Sequence, residues 1–202
     1  MSELETSKVG VNGHECRVWR KGTGPSIGYL AGLAGLPKWP LFADALAKEH
    51  QVIAPSVPGF PGAEGHRELD TTLDWIVAMR ELLNGADLEG PPLVGVSIGA
   101  TLAAEVAAMW PHKVEKLVLV APFGIYDEAE PTESPWAQQG QEFAGLFCNN
   151  ADAYSDFIRR PNDADPVEWP IEMARAREAS ARLLWPMGDT RIARRLHRII
   201  CP

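Results

Sequence analysis

Apolar residues follow two alternating rhythms along residues 1–122. Four short, almost wholly apolar runs, residues 27–31, 51–54, 93–96 and 116–121, have the pattern of strands covered on both faces. Between them apolar residues recur at helical spacing. Leu41/Phe42 and Ala45/Leu46 predict a helix within residues 39–48. Leu73, Ile76/Val77 and Leu83 predict another, capped by Asp70 or Thr71 and ended near Asn84-Gly85. Leu102, Val106 and Met109 share one face of a third, from Ile98 to Trp110, stopped by Pro111. Ahead of these, Asn12-Gly13 sits between Val9/Val11 and a segment ending at Trp19, as the two-residue turn of a hairpin does. A hairpin followed by strands alternating with helices predicts an α/β fold: a mostly parallel sheet, helices on both faces, right-handed crossovers.

The rhythm changes after Pro122. Residues 127–185 hold no clear strand, only short amphipathic pieces broken by Pro131, Pro135, Pro161, Pro166, Pro170 and Pro186, with aromatics such as Trp136, Phe143, Phe147, Tyr154 and Phe157 scattered among them. A helical insertion laid over the sheet, a cap, accounts for this pattern. Peripheral helices around a small core of their own are the alternative. The expected division is a core over residues 1–122, a cap over 123–186, and a return to the core over 187–202 that begins with a helix from Thr190 to His197.

Composition, 46% apolar and 23% charged, is that of an ordinary globular protein, and 202 residues suffice for one domain with a modest insertion. Charge narrows the partners. The net −8, from 19 basic and 27 acidic residues, argues against sequence-independent nucleic-acid binding and against an anionic membrane surface. The basic run Arg191, Arg194, Arg195, Arg198 reads as a solvated helix face in preference to a binding patch. Cys16, Cys148 and Cys201 are too scattered for a disulfide framework or a zinc site, and reduced thiols in a cytoplasmic setting are expected. No leader peptide is expected, and no apolar run approaches the roughly 18 residues of a transmembrane helix. Without a ligand cluster or phosphate loop, neither a metal nor an organic cofactor is expected. A small molecule is the partner this leaves, and the oligomeric state stays open.

The chemistry concentrates in Gly95-Val96-Ser97-Ile98-Gly99. A bare pattern of this kind arises by chance in roughly one in fifteen chains of this length at ordinary glycine frequency. Its position gives it meaning, because a buried strand leads into it and the helical stretch Ala100 to Ala104 leads out. A serine on such a tight strand-to-helix turn has strained backbone angles, and small residues two positions to either side avoid a clash. The turn lifts the hydroxyl above the sheet edge. The helix start behind it offers unpaired N–H groups, so the N–H of Ile98 can stabilise a tetrahedral oxyanion. The alternative is a serine that merely caps its helix.

With this elbow, and with the segments at residues 29–35, 52–60 and 113–122, the chain resembles the capped, single-domain serine hydrolases of the α/β-hydrolase family over about residues 7–202. The resemblance implies that Ser97 is a nucleophile and that the second oxyanion donor is the backbone N–H of Leu33, in Ala31-Gly32-Leu33. Ala31 stands where the family has a supporting histidine, and Ser56 where it often has an aspartate. Both departures bear on loop support more than on chemistry. A haloalkane dehalogenase is disfavoured, since its nucleophile would be an aspartate at position 97.

The family places its acid after a seventh strand and its histidine base after an eighth. Here the chain ends at Ile199-Ile200-Cys201-Pro202, where a seventh strand would begin, so roughly 60 to 80 residues of βα units are expected to be missing and the sheet edge to be left bare. His14, His50 and His66 precede the serine, against the family's chain order. His112 sits at the far end of the serine's helix, roughly 20 Å away at 1.5 Å per residue, and His197 lies in the helix before the missing strand. All five read as surface histidines. Asp127, just past the sixth strand, is the one candidate acid that the resemblance allows. Three functional readings follow: a serine hydrolase acting on an ester, thioester or related acyl bond of a small apolar substrate, a non-catalytic binding homologue, or an inactive fragment. C–C bond hydrolysis, peptidase action and perhydrolysis share the same residues with the first.

Overall fold

The computed structural model describes residues 3–138, 140–185 and 189–202. β1 (Glu5–Val11) and β2 (His14–Lys21) form the hairpin, with Asn12 at φ 49° and Gly13 at φ 78° giving the left-handed two-residue turn that matches strand twist. β3 (Ser26–Leu30), β4 (Gln51–Pro55), β5 (Leu93–Val96) and β6 (Leu117–Val120) complete one sheet in the order β1-β2-β4-β3-β5-β6. β2 runs antiparallel to β4, and the pairs from β4 to β6 are parallel. From β3 the chain goes to one side to make β4 and returns to the other to make β5. Open α/β sheets bind ligands at the carboxyl ends of strands where the order reverses in this way. The loops after β3 and β5 meet there.

α1 (Leu41–Leu46) is shorter than expected and buries only Ala43, while Leu41 is 87% exposed. Six residues, opened by Pro40 at the N-cap, are too few to present an apolar stripe. α2 (Thr72–Gly85) begins as anticipated at Thr71, whose hydroxyl accepts from the Asp74 N–H while the Asp74 carboxylate accepts from the Thr71 N–H. Of the expected stripe Ile76 and Leu83 are buried, together with Trp75, Ala78, Met79 and Leu82, while Leu73 and Val77 are exposed. α3 (Ile98–Met109) is buried from Ile98 to Ala108, including the polar Thr101 and Glu105, and of the expected face Leu102, Val106 and Met109 only Met109 is exposed.

β6 is followed by α4 (Gly140–Gly145), α5 (Ala151–Ile158) and α6 (Glu168–Leu184). The expected break at Pro186 and the boundary at 186–187 lie outside the described residues. Two short 3-10 turns, Ile192–Arg194 and Leu196–Arg198, replace the helix expected from Thr190 to His197. Arg191 at φ 63° starts them out of helical geometry. Nor is the basic run simply solvated. Arg195 donates to both carboxylate oxygens of buried Glu105 on α3, at 2.6 and 3.0 Å, and Arg198 donates to the Ala108 carbonyl at 2.7 Å. The Leu117 N–H donates to the Pro202 carbonyl at 2.9 Å, so the last described residue lies against the start of β6. Among the described residues β6 is the sheet edge, with Val118 and Val120 52% and 46% exposed. No described helix is long and apolar enough to cross a membrane.

Candidate active site

Ser97 occupies the single residue between β5 and α3, with φ 54° and ψ −120°. A non-glycine residue held there stores on the order of 1–3 kcal/mol of strain. Two backbone hydrogen bonds hold it, from the Ser97 N–H to the Val120 carbonyl at 2.8 Å and from the Thr101 N–H to the Ser97 carbonyl at 3.0 Å. The flanking glycines are obligatory. A Cβ on Gly95 would lie 2.6 Å from Ala100 Cα, and one on Gly99 would lie 2.4 and 2.5 Å from the carbonyl oxygens of Leu30 and Ala31. The Ser97 side chain makes no cap hydrogen bond to its own helix, so the helix-cap alternative fails. Its Oγ is buried without a partner among the described residues. Leaving a buried hydroxyl unpaired costs about 1–3 kcal/mol, a cost with no structural return here.

Ile98 directly follows Ser97, and Leu33 lines the same cavity as Ser97. Ile98 is the first residue of α3, where backbone N–H groups have no helical partner. Leu33 lies in the loop after β3, whose turn is closed by the Gly35 N–H on the Gly32 carbonyl at 2.8 Å. A Cβ on Gly32 would stand 3.2 Å from Ser97 Cβ, tighter than ordinary packing, so glycine eases the close approach of this loop. Leu33 and Ser97 line one cavity of about 560 Å³. Tyr29, Val96 and Phe123 form its sheet side, and Phe147, Tyr154 and Phe157 form the opposite wall. Among the described residues the one charged group in its lining is Glu133. Burial pushes the Tyr29 and Tyr154 phenols up to about 12, so both stay neutral at ordinary pH.

Two supporting residues had no sequence signal. Arg17 on β2 donates to the carbonyls of Leu36 at 2.6 Å and Pro61 at 2.9 Å and to Ser56 Oγ at 3.2 Å, and stacks 3.7 Å from the Trp19 ring centre. It ties the loop carrying Leu33 to the loop after β4. Desolvation pulls its pKa down to about 10, which still leaves it charged. Thr101 Oγ1 accepts from the Phe123 N–H at 3.0 Å and faces the carbonyls of Phe123 and Ser97, fastening the segment after β6 to the first turn of α3.

Asp127 does not reach this cavity. It is exposed, and its carboxylate accepts from the Ala129 N–H at 2.9 Å. None of the chain's five histidines lines the cavity. One of them corrects the surface reading: His66 is only 3% exposed. Its ring packs where a Cβ on Gly59 would lie 2.5 Å from His66 Cγ, and its Nε2 is 3.5 Å from Glu178 of α6, an ionic contact too long for a good hydrogen bond. A polar loop gave no hint that α6 covers it. No group of three or more His, Cys, Asp or Glu among the described residues is placed to hold a metal ion.

The sequence profile of the alpha/beta hydrolase fold matches residues 28–154. Among curated proteins, a 2-hydroxy-6-oxo-2,4-heptadienoate hydrolase of Pseudomonas putida is 25% identical over 67% of this chain and 48% of its own length. A 2-hydroxymuconate semialdehyde hydrolase of a Pseudomonas species is 30% identical over 57% of this chain and 39% of its own. The chain thus spans about half the length, or less, of these relatives. Among solved structures, a haloalkane dehalogenase from Bradyrhizobium elkani superposes with a TM-score of 0.66 at 16% identity, covering 98% of this chain and 75% of that one. A thioesterase domain of the curacin biosynthetic pathway gives 0.64 at 19% identity, covering 99% and 81%. At such identities the structures speak for the fold alone, and the profile match, which extends over more than half the residues, shows that the chain belongs to the α/β-hydrolase fold family.

Proposed function

We propose that this chain carries the nucleophile, oxyanion donors and substrate cavity of a serine hydrolase that cleaves an ester, thioester or related acyl bond of a small, largely apolar molecule. The observation that carries the reading is the strained, unpartnered hydroxyl of Ser97 opening into an apolar cavity. Ser97 Oγ attacks the acyl carbonyl, the N–H groups of Leu33 and Ile98 receive the charge that develops on its oxygen, and the leaving group departs from an acyl-enzyme that water then hydrolyses. Both steps need a base for a proton, a histidine by the family's order, and no histidine stands in the cavity lining. Residues 123–185 act as a cap whose aromatic wall selects the acyl group. The two curated relatives are hydrolases by name, which fits this class without fixing the substrate. The three unpaired thiols suit a cytoplasmic setting.

The lining's lack of a base favours a second reading, a binding homologue that keeps the cavity and performs no turnover. A fluorophosphonate probe separates the two, with Ser97→Ala as control and p-nitrophenyl ester turnover as second readout. Labelling that Ser97→Ala abolishes, with ester turnover falling to background, is the expected result. A folded wild-type chain that takes no label overturns the catalytic reading for this chain.

A further inference from the structure

A second cavity, of about 470 Å³, adjoins that of Ser97. The two share Leu33, Ala34 and Tyr154, so they meet at the oxyanion loop and the Tyr154 ring. Beyond that junction the walls are Trp136, Phe143, Ile158 and Met173, and α6 contributes one charge, Arg177. Among the described residues Arg177 is the only cationic side chain lining either cavity.

Its charge is not neutralised within the fold. The nearby carboxylates of α6 are used on another side: Glu178 contacts His66 and Arg67, and Glu172 accepts from the Gly62 N–H at 3.3 Å. Among the described residues the Arg177 guanidinium pairs with no carboxylate, and its recorded neighbour is the Phe143 ring, 5.6 Å from its carbon. It also draws the Tyr154 phenol downward against the burial that raises it, which places its charge within reach of the junction. Arg177 is itself exposed, so its planar guanidinium stands at the rim of an apolar chamber, where its free donors match a carboxylate in two-point geometry and offer nothing to an uncharged chain end.

We propose that Arg177 is a specificity-determining anchor for an anionic chain end, so that the substrate is a half-ester or half-thioester of a dicarboxylic acid. The reacting carbonyl lies at Ser97, the apolar stem passes Leu33 and Tyr154, and the free carboxylate meets Arg177. The assignment of the reacting end rests on Ser97 being the nucleophile.

The test takes the whole chain and monomethyl esters of dicarboxylic acids from succinate to sebacate, each set against the dimethyl ester of the same acid. Binding is read by calorimetry, and the reactivity of Ser97 separately by fluorophosphonate. At one chain length the monoester is expected to bind about tenfold tighter than its diester, the scale of one charge-assisted pair. Arg177→Gln brings that ratio to about one, and Arg177→Lys restores part of it. Equal binding of monoester and diester at every length overturns the proposal, as does a preference that survives in Arg177→Gln. The wild-type comparison decides even if a variant misfolds. A preference that depends on Arg177 while Ser97 takes no label keeps the anchor and removes the nucleophile. A labelled Ser97 with no preference does the reverse.

Discussion

α3 and α5 lie on opposite sides of the Ser97 cavity and are built in opposite ways. α3 buries every residue from Ile98 to Ala108, whereas α5 buries none of Ala151–Ile158 and offers its aromatics to the cavity. The contrast extends to the backbone. At Gly99 a single added methyl meets main-chain oxygens at 2.4 Å, and at Gly145 in α4 it meets nothing within 4 Å. The sheet side fixes the Ser97 hydroxyl between close-packed backbone. The helices after β6 shape the chamber with side chains that have room to change. In a family that reuses one scaffold for many reactions, this division separates what must be constant from what can vary.

The sharpest way to break the comparison is a pair of identical substitutions. Gly99→Ala drives a methyl into the carbonyls of Leu30 and Ala31, which belong to the central strand and its loop and cannot yield. A loss of about 3 kcal/mol or more is expected in chemical denaturation, with loss of fluorophosphonate labelling. Gly145→Ala is expected to be neutral or stabilising by a few tenths of a kcal/mol, through the entropy of the unfolded chain. Equal losses at both sites would mean that the two sides are equally constrained.

A smaller effect is expected where residues 190–198 grip the core. Glu105 is 1% exposed on α3, and Arg195 holds both its oxygens, assisted by Thr190 at 3.5 Å. Arg195→Met leaves the carboxylate buried with one weak partner. About 2 kcal/mol of destabilisation is expected, below the value for a fully buried pair because Arg195 is 28% exposed. Adding Glu105→Gln removes the stranded charge, and the double variant is expected to regain more than half of the loss. A double variant no more stable than Arg195→Met would show that packing, not charge, holds this segment.

These cases also separate what the sequence reveals from what it hides. Gly95, Ser97 and Gly99 were legible because the constraint acts on residue identity at one place in the chain, where any side chain two residues from the serine collides with backbone. The succession of strands and helices, and a helix cap at Asp70 or Thr71, were legible for the same reason, being written in local patterns. The face of α2 was legible only in part: Ile76 and Leu83 are buried, but Leu73 and Val77 keep helical spacing with them while pointing outward, and spacing does not say where a stripe is centred. Residues 190–198 were misread because Arg195 and Arg198 find their partners 90 residues away on α3. Arg17 and Thr101 escaped notice likewise, and His66 was taken for a surface residue: each is defined by loops or helices that only the folded chain brings together.

The finest test lies where the two sides touch, at His66 under α6. Burial holds this imidazole below its ordinary range, and the nearby charges of Arg67 and Arg182 add to that, while Glu178 pulls the other way without prevailing. Burial opposes the charged form of Glu178, but Arg67 and His66 outweigh it, and its carboxyl lies below the usual range. His14 with Glu68 at 3.0 Å and Arg175 with Glu64 at 3.8 Å complete the charged rim. A histidine whose folded pKa is depressed is bound by fewer protons in the native than in the unfolded state, so its contribution is intact above the ordinary histidine value of about 6.5 and is lost as pH falls below it. Glu178 acts in the same direction at lower pH. Thermal unfolding between about pH 7.5 and 5.5 should therefore show stability declining on acidification, by the smallest margin of the three effects, and His66→Gln should flatten the decline in that interval. Stability that rises on acidification would mean that the attraction of Glu178 exceeds the cost of burial, making the seam between α6 and the loop after β4 an ion pair instead of a packed imidazole.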